Sequence, residues 1–320
     1  MAFAPKTGAA LTADLATLSF NLPVLIPDFL YAQTVTMLAA DPGAGKSVIA
    51  MQLALALSSG TPLFGTFPIP APKRIYYLQL EGSYYQSLDR LRLMQTRIPL
   101  IADNLCWDMG EGLNVLRDHD LLTLEAKLKA FTPIDLLILD PLYMIVAGGL
   151  SEDRPASAVV RASTRLMQTL GCAIWLNHHT HRAKYLNGER VTEDDPFYGS
   201  QWLKAHVDAS WHLTRIASNK VRLDCKKDRH SVLGHRIDLL YHEDTMTCEE
   251  IRYSDAPAMT KVLHYLSECK LRNMVTTFAD IQAKTGVSHA HLRRLKNEIG
   301  KLDIVNFVTH SGQATSWVPK

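Results

Sequence analysis

One short run limits what this chain can fold into more than any other. Asp41-Pro42-Gly43-Ala44-Gly45-Lys46-Ser47 sits between an apolar stretch, Thr34 to Ala40, and a second one, Val48 to Leu57, that is apolar nearly all round. The first reads as a buried strand and the second as a fully buried helix. A strand ending in a glycine-rich turn that opens a helix lets successive backbone N–H groups, aided by the helix dipole, wrap phosphate oxygens. Gly43 and Gly45 would permit close backbone approach, Lys46 would bridge β and γ phosphates, and Ser47 would place its hydroxyl on Mg²⁺. The expected ligand is therefore ATP with Mg²⁺, contacted by Asp41, Pro42, Gly43, Ala44, Gly45, Lys46, Ser47 and Val48. The strict Walker A pattern asks for glycine where this chain has Ala40, a position at the strand end rather than on the phosphates.

Further short apolar runs occur at Arg74 to Leu80, Asp135 to Asp140 and Cys172 to Asn177. Stretches of helical periodicity separate them, such as Val159, Val160, Ser163, Leu166, Met167 and Leu170. Strands alternating with helices imply right-handed crossovers and an α/β fold with a mainly parallel sheet covered on both faces. From Ala209 the texture changes, and Ala209 to Ile216, Lys220 to Lys226 and Arg236 to His242 read as antiparallel strands extending that sheet. A boundary is expected near residue 256, separating a nucleotide domain with a short polar N-terminal arm (1–256) from a small domain (257–320). The least structured stretch is expected at Thr180 to Tyr198.

In the small domain a helix is expected over Met259 to Cys269, and Phe278 to Ile299 reads as helix, turn at Gly286, Ser288 cap and second helix. Ile304 to Val308 and Thr315 to Val318 would form a wing, so the segment resembles a winged helix. Leu292, Leu295 and Ile299 would supply its core, leaving Arg293, Arg294 and Lys296 to enter a DNA groove or touch phosphates. Contact with a partner protein is the alternative.

Composition excludes the extremes. Apolar residues make up 47% and charged residues 21%, values of a globular chain, and the net charge of +2 announces no overall field for nucleic acid or membrane. Five cysteines (Cys106, Cys172, Cys225, Cys248, Cys269) without a C-x-x-C pair argue against a zinc site or disulfide framework. The N-terminus lacks a basic stretch followed by an apolar core, and no apolar run reaches about 18 residues, so a cytoplasmic protein without a membrane partner is expected.

Leu136-Leu-Ile-Leu-Asp140 suits a Walker B strand, with Asp140 emerging at its C-terminal edge to hold the metal through water. Pro141 follows rather than a second acid, so the base that polarises the attacking water must come from elsewhere. Glu81, at the end of Arg74 to Leu80, is the candidate, since a carboxylate closing an adjacent parallel strand can face the γ-phosphate. An ordinary solvent-facing strand end is the plainer alternative. Asn177-His178-His179 closes another strand at the same edge, where a side chain can sense the γ-phosphate. A metal site of His178, His179 and His181 is the other reading, set against the opposite pointing of neighbours on a strand.

Leu-Ala-Ala-Asp-Pro-Gly-Ala-Gly-Lys-Ser, Tyr-Leu-Gln-Leu-Glu-Gly, Leu-Ile-Leu-Asp-Pro-Leu and Asn-His-His-Thr-His-Arg, in this order and spacing, resemble the motifs of RepA-like plasmid and phage helicases, relatives of DnaB and RecA. The resemblance spans about residues 20 to 245. It implies a homo-hexameric ring with ATP at subunit boundaries, single-stranded DNA in the central channel, and a replication initiator or loader as a further partner. It also implies Glu81 as catalytic carboxylate and His179, or else His178, as sensor. Cys225-Lys226-Lys227-Asp228-Arg229-His230 resembles the Lys-x-Arg segment by which DnaB-type helicases reach a neighbour's ATP site. Lys227 and Arg229, two apart, would share one strand face; a solvated basic turn is the alternative.

In RecA-like motors the loops after such strands line the channel, here Val146 to Arg154 and Thr180 to Arg190. Arg182, Lys184 and Tyr185 in the second offer cations and a stacking surface for a single strand, although acidic Glu189, Glu193, Asp194 and Asp195 follow. The function expected is a DNA-stimulated helicase of a phage, plasmid or mobile element. The alternatives are a regulatory ATPase that does not unwind and a small-molecule kinase.

Overall fold

The computed structural model describes residues 7–17, 23–110, 112–146, 149–150, 152–180, 184–186, 189–191, 201–230, 235–251, 258–272, 274–302, 305–308 and 316–319. In chain order come α1 (Gly8–Thr17), β1 (Val24–Ile26), β2 (Leu30–Tyr31), β3 (Val35–Ala40), α2 (Lys46–Ser59), β4 (Ile75–Gln79) and α3 (Tyr84–Met94). Next are β5 (Leu105–Met109), α4 (Asp118–Ala130), β6 (Leu136–Asp140), α5 (Asp153–Leu170), β7 (Ala173–His179), β8 (Lys184–Leu186), β9 (Glu189–Val191) and α6 (Gln201–His206). The strands β10 (Ala209–Ala217), β11 (Lys220–Asp228), β12 (Arg236–His242) and β13 (Thr247–Glu250) follow. The last elements are α7 (Ala258–Leu271), β14 (Thr276–Thr277), α8 (Phe278–Thr285), α9 (His289–Lys301), β15 (Val305–Val308) and β16 (Ser316–Pro319).

One nine-stranded sheet dominates, in the order β13-β12-β11-β10-β3-β7-β6-β4-β5. From β3 to β5 every pairing is parallel. Successive residues of β3 divide between its faces: Leu38 and Ala40 pack with Ile49, Leu53 and Leu57 of α2, while Val35, Met37 and Ala39 pack with the side of α4 and α5. Burial on both faces is why these strands read as continuous apolar runs and not as alternation. On the α2 side the ring of Phe29 stacks on Trp211 and Trp175, with centroids 4.9 and 6.0 Å away.

Three expectations are corrected. The run from Ala209 pairs parallel to β3, with Ala209 opposite Thr36, and only β11, β12 and β13 are antiparallel. The chain returns from β7 through α6, and such a crossover admits a parallel strand where a tight turn would not. Asp208 starts this ladder, its amide donating to Val35 O at 2.8 Å and its carboxylate accepting from Val35 N at 2.9 Å. The sheet also gains an edge strand, β5, whose residues are half-buried throughout and so carry no clear apolar signal. The N-terminal arm contains the alanine-rich helix α1, whose exposed positions leave no apolar stripe to find. Within the stretch expected to be least structured, β8 and β9 pair as antiparallel strands.

Residues 258–319 fold around a core of Val262, Leu266, Ile281, Leu292, Ile299 and Trp317. Helix α8 starts at a capping box between Thr277 and Asp280 and ends at Gly286, whose φ of +70° suits glycine. Hydrogen bonds from Thr277 hold the Asp280 carboxyl below its ordinary pKa. Ser288 caps α9, and the strands form a small sheet in the order β14-β16-β15. The boundary expected near residue 256 lies outside the described residues.

Candidate nucleotide site

The turn between β3 and α2 has Gly43 at φ +75° and Gly45 at φ +106°. A Cβ at either would meet nothing within 4 Å, so the backbone conformation, not crowding, calls for glycine. Gly45 is the N-cap of α2 and gives it no side-chain cap, and no acid stands in the first turn. The first N–H groups of a buried helix are thus left for an anion. Lys46, 7% exposed, donates from Nζ to Ala40 O at 2.9 Å and Asp41 O at 3.2 Å, and lies 3.3 Å from His179 Nδ1. Burial lowers its pKa, and the charges of Asp140, Asp41 and Glu81 oppose that shift.

The strand periodicity sets what joins Lys46. On β6 the residues Leu136 and Ile138 face α2, so Asp140 falls on the same face, and on β7 Ala173 and Trp175 carry His179 there. His178, buried, falls on the opposite face with Ile174 and Leu176. The two histidines that the sequence left open are therefore separated: His179 reaches the loop and His178 does not. Burial lowers the His179 pKa, the neighbouring Lys46 adds to this, and Glu81 and Asp140 oppose it. Asp140 accepts from the Tyr77 hydroxyl at 2.5 Å, and burial beside Asp140 drives the Tyr77 pKa well up, keeping the phenol a donor. A seryl hydroxyl and a carboxylate, Ser47 and Asp140, are the oxygen donors that suit a hard divalent cation.

Glu81 follows β4 and accepts through Oε2 from the Tyr143 hydroxyl at 2.6 Å. A cavity of about 480 Å³ runs from the loop past these groups, ample for a nucleotide. Its walls include Arg90 on α3, Arg215 on β10 and Tyr241 on β12, three residues that sequence reasoning missed. Nothing in the chain joins them, since they meet only because β10 to β13 extend the sheet beside β3. Gln79 and Tyr143 were missed likewise, one read as strand filling and the other as a plain residue after the acidic strand end.

Lys227 and Arg229 are not among the residues lining this cavity. They do share one target, as their spacing suggested, and it is the C-terminus of α6. Lys227 Nζ donates to Lys204 O at 2.8 Å and Ala205 O at 3.1 Å. Arg229 donates to Ala205 O at 2.6 Å and pairs with Asp208 at 3.0 Å. Cations on the last carbonyls of a helix are favourable in themselves. Burial lowers the Lys227 pKa, with Arg229 adding to the effect.

Of the expected DNA contacts, Arg182 lies outside the described residues, as does His181. Lys184 and Tyr185 lie on β8, where only the backbone is described. Arg293 and Arg294 are exposed on α9 and Lys296 is half-buried, with Leu292, Leu295 and Ile299 turned into the core as expected.

Strand, phosphate loop, buried helix and an acidic strand end on one sheet edge define a P-loop ATPase of RecA-like build. The family model described as AAA domain matches residues 5–184, and the chain belongs to that family. Among solved structures it resembles a phosphate-loop protein described as an ATPase domain, with a TM-score of 0.56 and 13% identity, over 76% of this chain and 97% of that one. A DnaB-like replicative helicase, solved with its interactions with primase, gives the same TM-score of 0.56 and 13% identity, over 76% of this chain and 67% of that one. No curated protein matches the chain. Among the described residues no helix is long and apolar enough to cross a membrane.

Proposed function

We propose that this ATPase is a ring-forming, DNA-stimulated helicase acting in replication of a phage, plasmid or other mobile element. In this reading Lys46 grips the β and γ phosphates of ATP, and Ser47 and Asp140 hold Mg²⁺, which neutralises phosphate charge when bound. Glu81 takes the proton of the attacking water and His179 senses the γ-phosphate. The observation that carries the reading is the position of His179. It stands 3.3 Å from Lys46, and the chain leaves it directly for the segment holding Arg182, Lys184 and Tyr185. A strand end beside the phosphate clamp that continues into a basic segment can pass nucleotide state to a bound strand. The likeness in fold to a DnaB-like helicase and to a second ATPase domain supports it.

The test is ATPase rate against single-strand concentration at several salt levels, together with strand displacement. Losing Arg182 and Lys184 should flatten the log-log salt slope of affinity by about 1 to 1.5, at about 0.7 per phosphate contact. No stimulation by single strands would defeat the reading. A second reading, a regulatory ATPase without unwinding, is favoured by exposed Arg293 and Arg294 on the second helix of a winged-helix-like module. Stimulation lost on removing residues 257–320, with no strand displacement, would select it.

Lys227 and Arg229 would act in trans, in the neighbour's site. Mixing Arg229→Ala with Lys46→Ala subunits should restore some turnover, because a mixed boundary can hold one intact site. No recovery at any ratio, with mixed rings confirmed, would leave the pair as a cap of α6.

A further inference from the structure

The position of Glu81 rests on two independent holds. Its main chain is fixed by Gln79, whose Nε2 donates to Glu81 O at 2.8 Å. Gln79 is itself buried, and its Oε1 accepts from Ser87 Oγ at 2.6 Å and Trp107 Nε1 at 3.0 Å, so the amide cannot turn without breaking three bonds. Gly82, at φ +89°, then turns the chain away from the strand. The second hold is on the carboxylate, where Tyr143 donates to Oε2 at 2.6 Å.

Tyr143 is well placed for this. It belongs to the turn Leu142–Ile145 that follows β6. Leu142 and Ile145 are buried, and Ile145 O accepts from Val115 N at 2.8 Å, so the backbone under Tyr143 is anchored while its ring stands at the rim of the cavity. The ring lies 5.1 Å from that of His179, which limits its freedom on the other side. Burial and the bond to Glu81 push the phenol up to about 12, so it remains a donor throughout the neutral range.

We propose that Tyr143 is a positioning residue for Glu81. A glutamate at an exposed strand end has three rotatable bonds and would otherwise sample many orientations. Tying Oε2 to an anchored hydroxyl leaves the other oxygen to accept the proton of a water, in the orientation the pocket sets. This deepens the reading of Glu81 as the base and rests on it.

The test uses the full chain with Tyr143→Phe, which keeps the ring against His179 and removes only the hydroxyl. It is measured alone and in a Glu81→Gln background. Alone it should lower kcat about tenfold, leave KM for ATP within about twofold, and leave the thermal midpoint in place. In the Glu81→Gln background, read by single turnover, it should lower the residual rate no further, because the group it acts through is gone. An equal loss in both backgrounds, an unchanged kcat or a raised kcat overturns the proposal. Glu81→Gln turning over ATP at the wild-type rate would overturn the base assignment itself and this proposal with it. That outcome is read before Tyr143 is altered, so the two failures are told apart.

Discussion

The two halves of the central sheet use polar residues in opposite ways. In the parallel half, β3, β4 and β6 are buried along their whole lengths, and polar groups emerge only where the strands end, as Asp140, His179 and Glu81 do. In the antiparallel half the charges lie within the strands and pair with one another. Arg222 of β11 grips Asp238 of β12 at 2.6 and 3.0 Å, and Arg236 of β12 holds Asp224 of β11 at 2.8 Å. Parallel strands all finish on the same edge, so the groups that follow them converge on one site. Antiparallel strands finish on alternate edges, and their polar residues are better used across the ladder. Chemistry collects in one half and polar cross-bracing in the other.

The largest expected effect is in the parallel half. Lys46→Ala should lower ATP turnover by about 10²- to 10³-fold or more, since it removes the positive charge beside the transferring phosphate. Its partners Ala40 O and Asp41 O lie at the mouth of the cavity, where water can replace the ammonium, so the thermal midpoint should hardly move. Turnover assays paired with melting curves check both parts. A large fall in melting point would make Lys46 a structural residue as well and blur the contrast between the halves.

The reverse pattern is expected of Arg222→Ala. Asp238 is 2% exposed on its side chain, and losing the two-pronged partner leaves a buried carboxylate poorly compensated. The cost should be about 2 to 3 kcal/mol of stability. ATP turnover per folded molecule should stay within about twofold, because neither residue lines the cavity. Chemical denaturation with a parallel ATPase assay measures this. Lost turnover at full stability would show that the bracing half reaches into the chemistry.

The same contrast explains what could be read in advance. Strands β3, β4, β6 and β7 were legible because burial on both faces writes them as apolar runs, and the phosphate loop because its glycines and Lys46 stand at fixed spacing. Asp140 and Glu81 were legible as the polar residues at the ends of such runs. Between His178 and His179, periodicity alone could decide only once the face carrying α2 was known. Arg90, Arg215 and Tyr241 were not legible, since their meeting depends on strand order. The direction of β10 was hidden for a related reason: alternation reports one exposed face, and a strand beside β3 can show that in either direction. For Lys227 and Arg229 the spacing did report a common target, but not that α6 supplies one within the same chain.

The smallest expected effect is a pH dependence of stability. Burial lowers the pKa of His179, His206 and His235 below the ordinary value of 6.5. A base with a depressed folded pKa binds fewer protons when folded than when unfolded. The stability it contributes is fully present above about pH 6.5, is lost as the pH falls toward the lowered value, and changes no further below it. The three shifts have the same sign, so the thermal midpoint should be level from about pH 8 to 7 and decline toward about pH 5.5. His235 stands in front of β12, near the rings of Phe67 and Trp211, with centroids at 6.1 and 6.0 Å. Replacing it by glutamine removes one titrating group from the antiparallel side while His179 remains on the parallel side. His235→Gln should make the decline shallower without abolishing it. A decline as steep as in the unaltered chain would assign the whole effect to His179 and His206, and a decline that vanishes would assign it to the antiparallel half alone.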